Sequence, residues 1–302
     1  MSWQNVVLSW MLRARMKPMS KRGLDVHKVR KLAGQPLVKT KVPAGWTIRP
    51  TAHPPLAGEW IERDSGGGDH RTRRTLIYLH GGGYFFCTPE THRPITLGLA
   101  SHADAHVFVP DYRLAPEHRF PAAVDDSVAA YRRLVAEGTP PHRIVLGGDS
   151  AGGGLALATL LSLRDAGDPL PAGAVLFSPW TDLAGTGESI IKNTKSDVMF
   201  HGEGITKGAR FYLGDTHPTH PLASPLYADL AGLPPLFIQA SNSEVLLDDS
   251  TRLAEKASKA GVAVDFKTWH RLPHVWQIFT PFLPESRAAL AEAGAFVKRQ
   301  VP

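Results

Sequence analysis

From residue 75 onward, short apolar and β-branched runs alternate with longer segments whose apolar residues recur at helical spacing. Residues 75–79, 105–110, 143–147, 174–178, 236–240 and 262–269 read as strands. Helices are expected near 92–103, 121–137, 153–166, 249–260 and 285–299. Strands that take turns with helices imply a mainly parallel sheet covered on both faces, an α/β architecture. Ahead of this region, residues 46–61 alternate apolar and polar positions as an antiparallel strand pair would, and residues 64–69, rich in Gly and Ser, read as a surface hairpin turn. Residues 184–233 break the rhythm. They carry many Gly, Pro and His with Phe200, Phe211 and Tyr212 interleaved, and are expected to be a cap element inserted between strands and touching substrate.

The first residues have a pattern of their own. Trp3, Val6, Val7, Trp10, Met11 and Ala14 recur at helical spacing, with Arg13, Arg15 and Lys17 near the end. Pro18 interrupts, and residues 25–33 form a second short helix stopped by Gly34.

Two glycine-rich turns follow strands and carry the candidate chemistry. The run Arg143-Ile144-Val145-Leu146 leads into Gly148-Asp149-Ser150-Ala151-Gly152, a G-x-S-x-G pentapeptide, and an Ala/Leu-rich helical stretch follows at once. A serine nucleophile must stand at the tip of a strained strand-to-helix turn, and flanking glycines let the strand and helix approach closely. Upstream, the 75–79 strand runs into His80-Gly81-Gly82-Gly83-Tyr84. Three consecutive glycines cost backbone entropy, and an oxyanion hole is a reason for them: backbone N–H groups must come to about 3 Å of a developing alkoxide, where a Cβ would obstruct. Gly82, Gly83 and Ala151 are the expected donors. No dinucleotide or phosphate-loop glycine pattern is present to compete with this reading.

Together these segments resemble the hormone-sensitive-lipase family of α/β-hydrolases, the bacterial family IV esterases. Asp111-Tyr112-Arg113-Leu114-Ala115-Pro116-Glu117 and Ser178-Pro179-Trp180-Thr181-Asp182 resemble further signatures of that family, and the motifs run in family order from about residue 75 to 275. Acid and histidine then follow the serine in chain order. Of fourteen histidines, nine precede Ser150 and three lie in the loop-rich segment before the last strands, which leaves His270 and His274. The resemblance places the base in the final loop, and so at His274. The acid belongs after the 236–240 strand, where Glu244, Asp248 and Asp249 lie. The family usually has Asp at the first position of a D-x-L-x-D pattern, and here Glu244 stands there. Glu244 is the expected acid, with Asp248 as the alternative and more in keeping with a helix N-terminus. His80 and Asp149 are read as braces of the glycine turns, and Asp111, Arg113 and Glu117 as buried or half-buried ion pairs beneath the site. Tyr84, Asp149, Trp10 and Phe211 are expected at the substrate. The resemblance also implies that the N-terminal helices cap the active site with their apolar face, and that the chain pairs through its last strand and helix into a homodimer.

Composition narrows the class. A chain of 302 residues with 43% hydrophobic content can bury one large α/β core. The single cysteine, Cys87, excludes an intramolecular disulfide, and no metal-ligand or cofactor-binding spacing is evident. There is no apolar stretch of about twenty residues and no pattern of a secretory signal, so a cytoplasmic enzyme without stable membrane insertion is expected. Residues 1–50 hold eleven Lys/Arg against the single acid Asp25, a net of +10, whereas the whole chain is +6, leaving −4 for the rest. Basicity confined to one segment argues against nucleic acid as a partner. It leaves a membrane-surface helix as the rival to a cap.

The expected organisation is an N-terminal helical cap over residues 1–45 and an α/β-hydrolase catalytic domain over 46–302 with the insertion at 184–233. The expected activity is hydrolysis of small-molecule carboxylic esters with short to medium acyl chains. A lactonase, an amidase or a carbohydrate de-acetylase would use the same residues. A small-molecule receptor on the same fold would differ by lacking the base histidine.

Overall fold

The computed structural model describes residues 1–21, 25–36, 40–55, 57–64 and 72–302. The turn expected at 64–69 lies, apart from Asp64, outside the described residues. Among the described residues, eight strands form one sheet: β1 (Trp46–Thr51), β2 (Gly58–Arg63), β3 (Thr75–Leu79), β4 (His106–Pro110), β5 (Ile144–Asp149), β6 (Gly173–Phe177), β7 (Leu236–Ser241) and β8 (Val264–Trp269). Their order is β1-β2-β4-β3-β5-β6-β7-β8. β1–β2 and β2–β4 pair antiparallel, with Trp46 opposite Arg63 and Gly58 opposite Pro110, and every pairing from β4 to β8 is parallel. The central strands β3, β5, β6 and β7 are buried along their whole length, as continuous apolar runs require when helices cover both faces. β8 lies at the edge of the sheet and is only partly buried.

The helices are α1 (Trp3–Arg15), α2 (Lys17–Lys21), α3 (Val26–Ala33), α4 (Arg93–Ala103), α5 (Ala122–Ala136), α6 (Ala151–Asp165), α7 (Ser189–Lys192), α8 (Gly202–Leu213), α9 (Leu247–Lys259) and α10 (Pro284–Gln300). α5, α6 and α9 contribute to a large apolar cluster with Ile77, Leu79, Leu146 and Ile238 of the sheet. α4 and α10 share a second cluster with Leu76, Tyr78, Val145 and Val175, the alternate positions of the same strands. The period-two alternation of side chains therefore splits the core into two layers, one on each side of the sheet. A third, smaller cluster joins Leu12 of α1 to Met199, Leu272, Trp276, Phe279 and Leu283.

Three differences from the sequence reading have physical causes. α6 begins at Ala151 rather than near residue 153, so Gly152, Gly153 and Gly154 lie inside its first turn. A Cβ on Gly152 would come within 1.9 Å of the Leu79 carbonyl oxygen, so the glycines there serve close packing of helix on strand. Pro18 does not merely interrupt: it is the second residue of α2, where its missing N–H would have had no intrahelical partner. The ion pairs of the 111–117 stretch are not buried beneath the site. Arg113 pairs with Asp126 and Glu117 with Arg30, each at 2.7 Å and each partly exposed, which avoids the cost of desolvating two charges.

Candidate active site

β5 delivers Ser150 to the sheet's carboxyl edge, and α6 starts at the next residue. Ser150 has φ 52° and ψ −122°, a backbone conformation that a non-glycine residue holds only under constraint. The constraint is visible: its N–H donates to the Phe177 carbonyl at 2.9 Å and its own carbonyl accepts from Trp180 at 2.8 Å. The turn is thus pinned to the segment that follows β6.

The glycine loop approaches from β3. Gly82 (φ 110°) and Gly83 (φ 60°) lie in the region that disfavours side chains, and a Cβ on Gly82 would meet the Phe86 carbonyl oxygen at 2.1 Å. The N–H groups of Gly82, Gly83 and Ala151 have no acceptor among the described residues. Ala151 is the first residue of its helix, where the N–H has no intrahelical partner and the helix dipole favours negative charge.

Asp149 locks the two turns together. Its buried carboxylate accepts from the Tyr78 hydroxyl (2.7 Å) and the Gly81 N–H (3.1 Å), and lies 3.2 Å from His92 Nε2. Burial alone would raise its pKa, but His92 and the hydrogen bonds from His92 and Tyr78 outweigh burial and hold it below the usual carboxylate value. His80 is buried, stacks on Tyr112 at 4.4 Å, and approaches the Gly81 carbonyl with Nδ1 at 2.7 Å. Burial, helped by His92, pushes its pKa down to about 3, so it is a neutral brace. His92 itself precedes Ser150 and draws no attention as a candidate base; only the fold brings it against Asp149.

His274 follows β8 in a loop and its Nδ1 lies 2.5 Å from Glu244 Oε2. The other Glu244 oxygen accepts from the Ser241 N–H at 2.9 Å, so the longer side chain is held by its own strand end. Nε2 of His274 is buried without a hydrogen-bond partner among the described residues. Burial would lower the His274 pKa, but the hydrogen bond and charge of Glu244, with the charges of Asp197 and Asp149, overcome it and raise the value above that of an ordinary imidazole. The two alternatives lie elsewhere: Asp248 accepts from the Ser189 N–H in the first turn of α9, and His270 is exposed beside Asn242.

Ser150, His274, Gly82, Gly83 and Asp149 open onto one cavity with room for about 280 Å³. Met16, Met19 and Val29 of the N-terminal segment line it, with Phe200 and Ile205 of the 184–233 segment and Ile278, Phe279 and Phe282 after His274. Cys87 is also in the wall, and burial pushes its thiol up to about 12, far from a thiolate nucleophile.

The remaining expected substrate contacts need correction. Trp10 is 72% exposed and outside the lining, because α1 packs through Leu12 and the half-buried Leu8 and Met16 instead. Tyr84 is buried but stacks on Tyr212 at 3.8 Å, behind the glycine loop. Phe211 packs on Phe85, 5.3 Å between centroids, and it is Phe85 that reaches the cavity. One functional candidate has no sequence signal. Asp197, in the irregular 184–233 segment, accepts from the N–H groups of Met199, Phe200 and Val245 at 2.7–2.9 Å, and its charge bears on His274.

Among the described residues, no helix is long and apolar enough to cross a membrane. A family model for the α/β-hydrolase fold matches residues 76–278. The chain is 50% identical over 225 residues to an acetyl-hydrolase of Streptomyces hygroscopicus, covering 74% of this chain and 75% of that one. It superposes on a crystal structure of EstE5 soaked with p-nitrophenyl butyrate with a TM-score of 0.92, at 39% identity over 99% of both chains. A bacterial hormone-sensitive-lipase-family esterase gives 0.91 at 42% identity, covering 100% of this chain and 99% of that one. The chain belongs to the α/β-hydrolase family, in its hormone-sensitive-lipase-like branch, and is a serine carboxylic-ester hydrolase.

Proposed function

We propose that the enzyme cleaves esters of short to medium acyl chains through an acyl-enzyme on Ser150. His274 takes the serine proton as the hydroxyl attacks the ester carbonyl, and Glu244 holds the imidazole in the required tautomer and stabilises its cation. The N–H groups of Gly82, Gly83 and Ala151 receive the oxyanion; losing one such donor costs about 3 kcal/mol of barrier. The same histidine protonates the leaving alcohol and then activates the water that releases the acid.

The observation that carries this reading is the 2.5 Å Glu244–His274 contact in the wall of the cavity onto which the strained Ser150 opens. The apolar, bounded lining supports short to medium acyl groups, as do the names of the relatives: one is an acetyl-hydrolase and another was soaked with a butyrate ester. Residues 1–45 and 184–233 act as the two parts of a cap. Pairing of two copies through the β8 edge and a cytoplasmic location belong to the same proposal; light scattering and cell fractionation test them.

A fluorophosphonate probe tests the nucleophile. The expected result is one label, on Ser150, abolished in Ser150→Ala. Label on another residue would overturn the assignment. On p-nitrophenyl esters graded by length, acetate to octanoate should be turned over faster than laurate and longer esters, and the reverse order would remove the chain-length proposal.

A further inference from the structure

α1 has two apolar faces. One, carrying Leu8 and Leu12 and continued by Met16 at its C-terminal cap, packs on the body around Trp276 and Phe279. The other points away: Trp3 and Trp10 are each 72% exposed, with Val6 at 52%, Val7 at 49% and Met11 at 44%. At 100° per residue, Trp3, Val6, Val7 and Trp10 fall on the arc opposite Leu8 and Leu12. A helix whose solvent face is this apolar has an unmet partner. Arg13 and Arg15 extend the same helix and are exposed, and Arg13 donates to the carbonyls of Lys195 and Ser196 with no carboxylate partner among the described residues.

We propose that this outer face of α1 docks on an anionic lipid surface. Charge selects the occupant. Residues 1–50 carry a net +10 in a chain whose remainder is −4, and with Arg30 paired to Glu117 and Arg49 to Glu62 the segment still has a large positive excess that suits a negative surface. Two copies meeting through this face would bring two strongly basic segments together, which disfavours self-association here. Tryptophans beside arginines on one exposed helix are the side chains that settle at the boundary of headgroups and acyl chains. The apolar surface also leads toward the cavity. Ser2 is held by Glu285 at 2.7 Å, just after Phe282, which is 54% exposed and lines the cavity; Met19, 38% exposed, lines it beyond the other end of α1. Lipid docking would set that rim at the interface where apolar esters concentrate.

The test is sedimentation of the full chain with vesicles of one part phosphatidylglycerol to two parts phosphatidylcholine, read alongside tryptophan emission. The expected result is co-sedimentation with a blue shift from Trp10, weakened by salt and by omitting phosphatidylglycerol. The double variant Trp3→Gln/Val7→Gln should lose affinity by about tenfold or more, while hydrolysis of a dissolved short ester stays unchanged. Arg15→Gln should weaken binding to the anionic vesicles alone. Failure of the native chain to sediment with anionic vesicles overturns the proposal, as does equal binding by the double variant. A smaller particle for the double variant in vesicle-free light scattering also overturns it, since a second copy would then be what covers the face. The readout is binding, so it stands apart from the assignment of the catalytic residues.

Discussion

Asp197 is a second negative charge that bears on His274, and its contribution can be separated from that of Glu244. In the proposed mechanism attack requires a neutral imidazole, so kcat/KM should fall as pH drops through the His274 pKa. That pKa is raised: burial lowers it, but Glu244 and Asp197 favour the cation more strongly. The acid limb of the pH profile should therefore have its midpoint above the ordinary imidazole value. Asp197→Asn removes one of the charges that stabilise the cation, so its midpoint should move to lower pH. A midpoint that stays put would mean the carboxylate only shapes its loop through Met199, Phe200 and Val245. Glu244→Gln is a different experiment. It keeps the shape but removes the partner of Nδ1, and kcat should fall on the order of 10³- to 10⁴-fold with an unaltered far-UV spectrum. If Asp248→Asn caused that collapse instead, the acid would have been misassigned.

At the scale of elements, how much could be read in advance depends on what repeats. The buried strands are uninterrupted apolar runs, so β3, β5, β6 and β7 were legible to within a residue or two, and the two glycine turns were legible because each follows such a run. Glu244 and His274 could be singled out because chain order and the family motif leave few candidates. Asp197 could not, since its loop has no period and its partners are backbone N–H groups of residues 199, 200 and 245. α1 misled for another reason. Helical spacing locates apolar arcs but does not say which arc packs, and the more aromatic arc, with Trp3 and Trp10, is the one left in solvent. The run of glycines in α6 was legible as a turn but not as helix interior, because the reason for them is the Leu79 carbonyl of a neighbouring strand. Gly152→Ala tests that reason. With 1.9 Å available, the methyl must push α6 from β3, costing about 1–3 kcal/mol. Denaturant unfolding should show the loss, and an unchanged midpoint would mean that the helix start shifts freely.

Across the whole molecule, the basic N-terminal segment is fastened to a mildly acidic body chiefly through backbone carbonyls. Arg30 donates to the carbonyls of Phe85 and Ala115 and pairs with Glu117, so α3 is tied to the segment just after the glycine loop. Lys17 is 8% exposed and donates to the carbonyls of Thr194 and Asp197 at 2.6 Å and of Lys195 at 3.3 Å. Burial, reinforced by Arg13, lowers its pKa, and the carbonyl oxygens gathered around it are what the ammonium has in place of water. The strap matters because of what lies on the far side. The same loop carries Asp197, Met199 in the cavity wall, and Phe200, whose ring stands edge-on to His274 at 5.3 Å. One lysine thus links the N-terminal segment, the pocket wall and the imidazole surroundings. Lys17→Met fills similar volume but leaves the Thr194 and Asp197 carbonyls without their donor and that of Lys195 with Arg13 alone, so stability should drop by about 1–3 kcal/mol. The loop should also loosen. KM for a short ester is then expected to rise more than kcat falls, because the wall is disturbed while Ser150 and the glycine loop, pinned by Asp149, are not. If Asp197 moves with the loop, the acid limb should shift in the same direction as in Asp197→Asn. Lost stability with KM and pH profile both unchanged would show that the strap holds the N-terminal segment in place without reaching the chemistry.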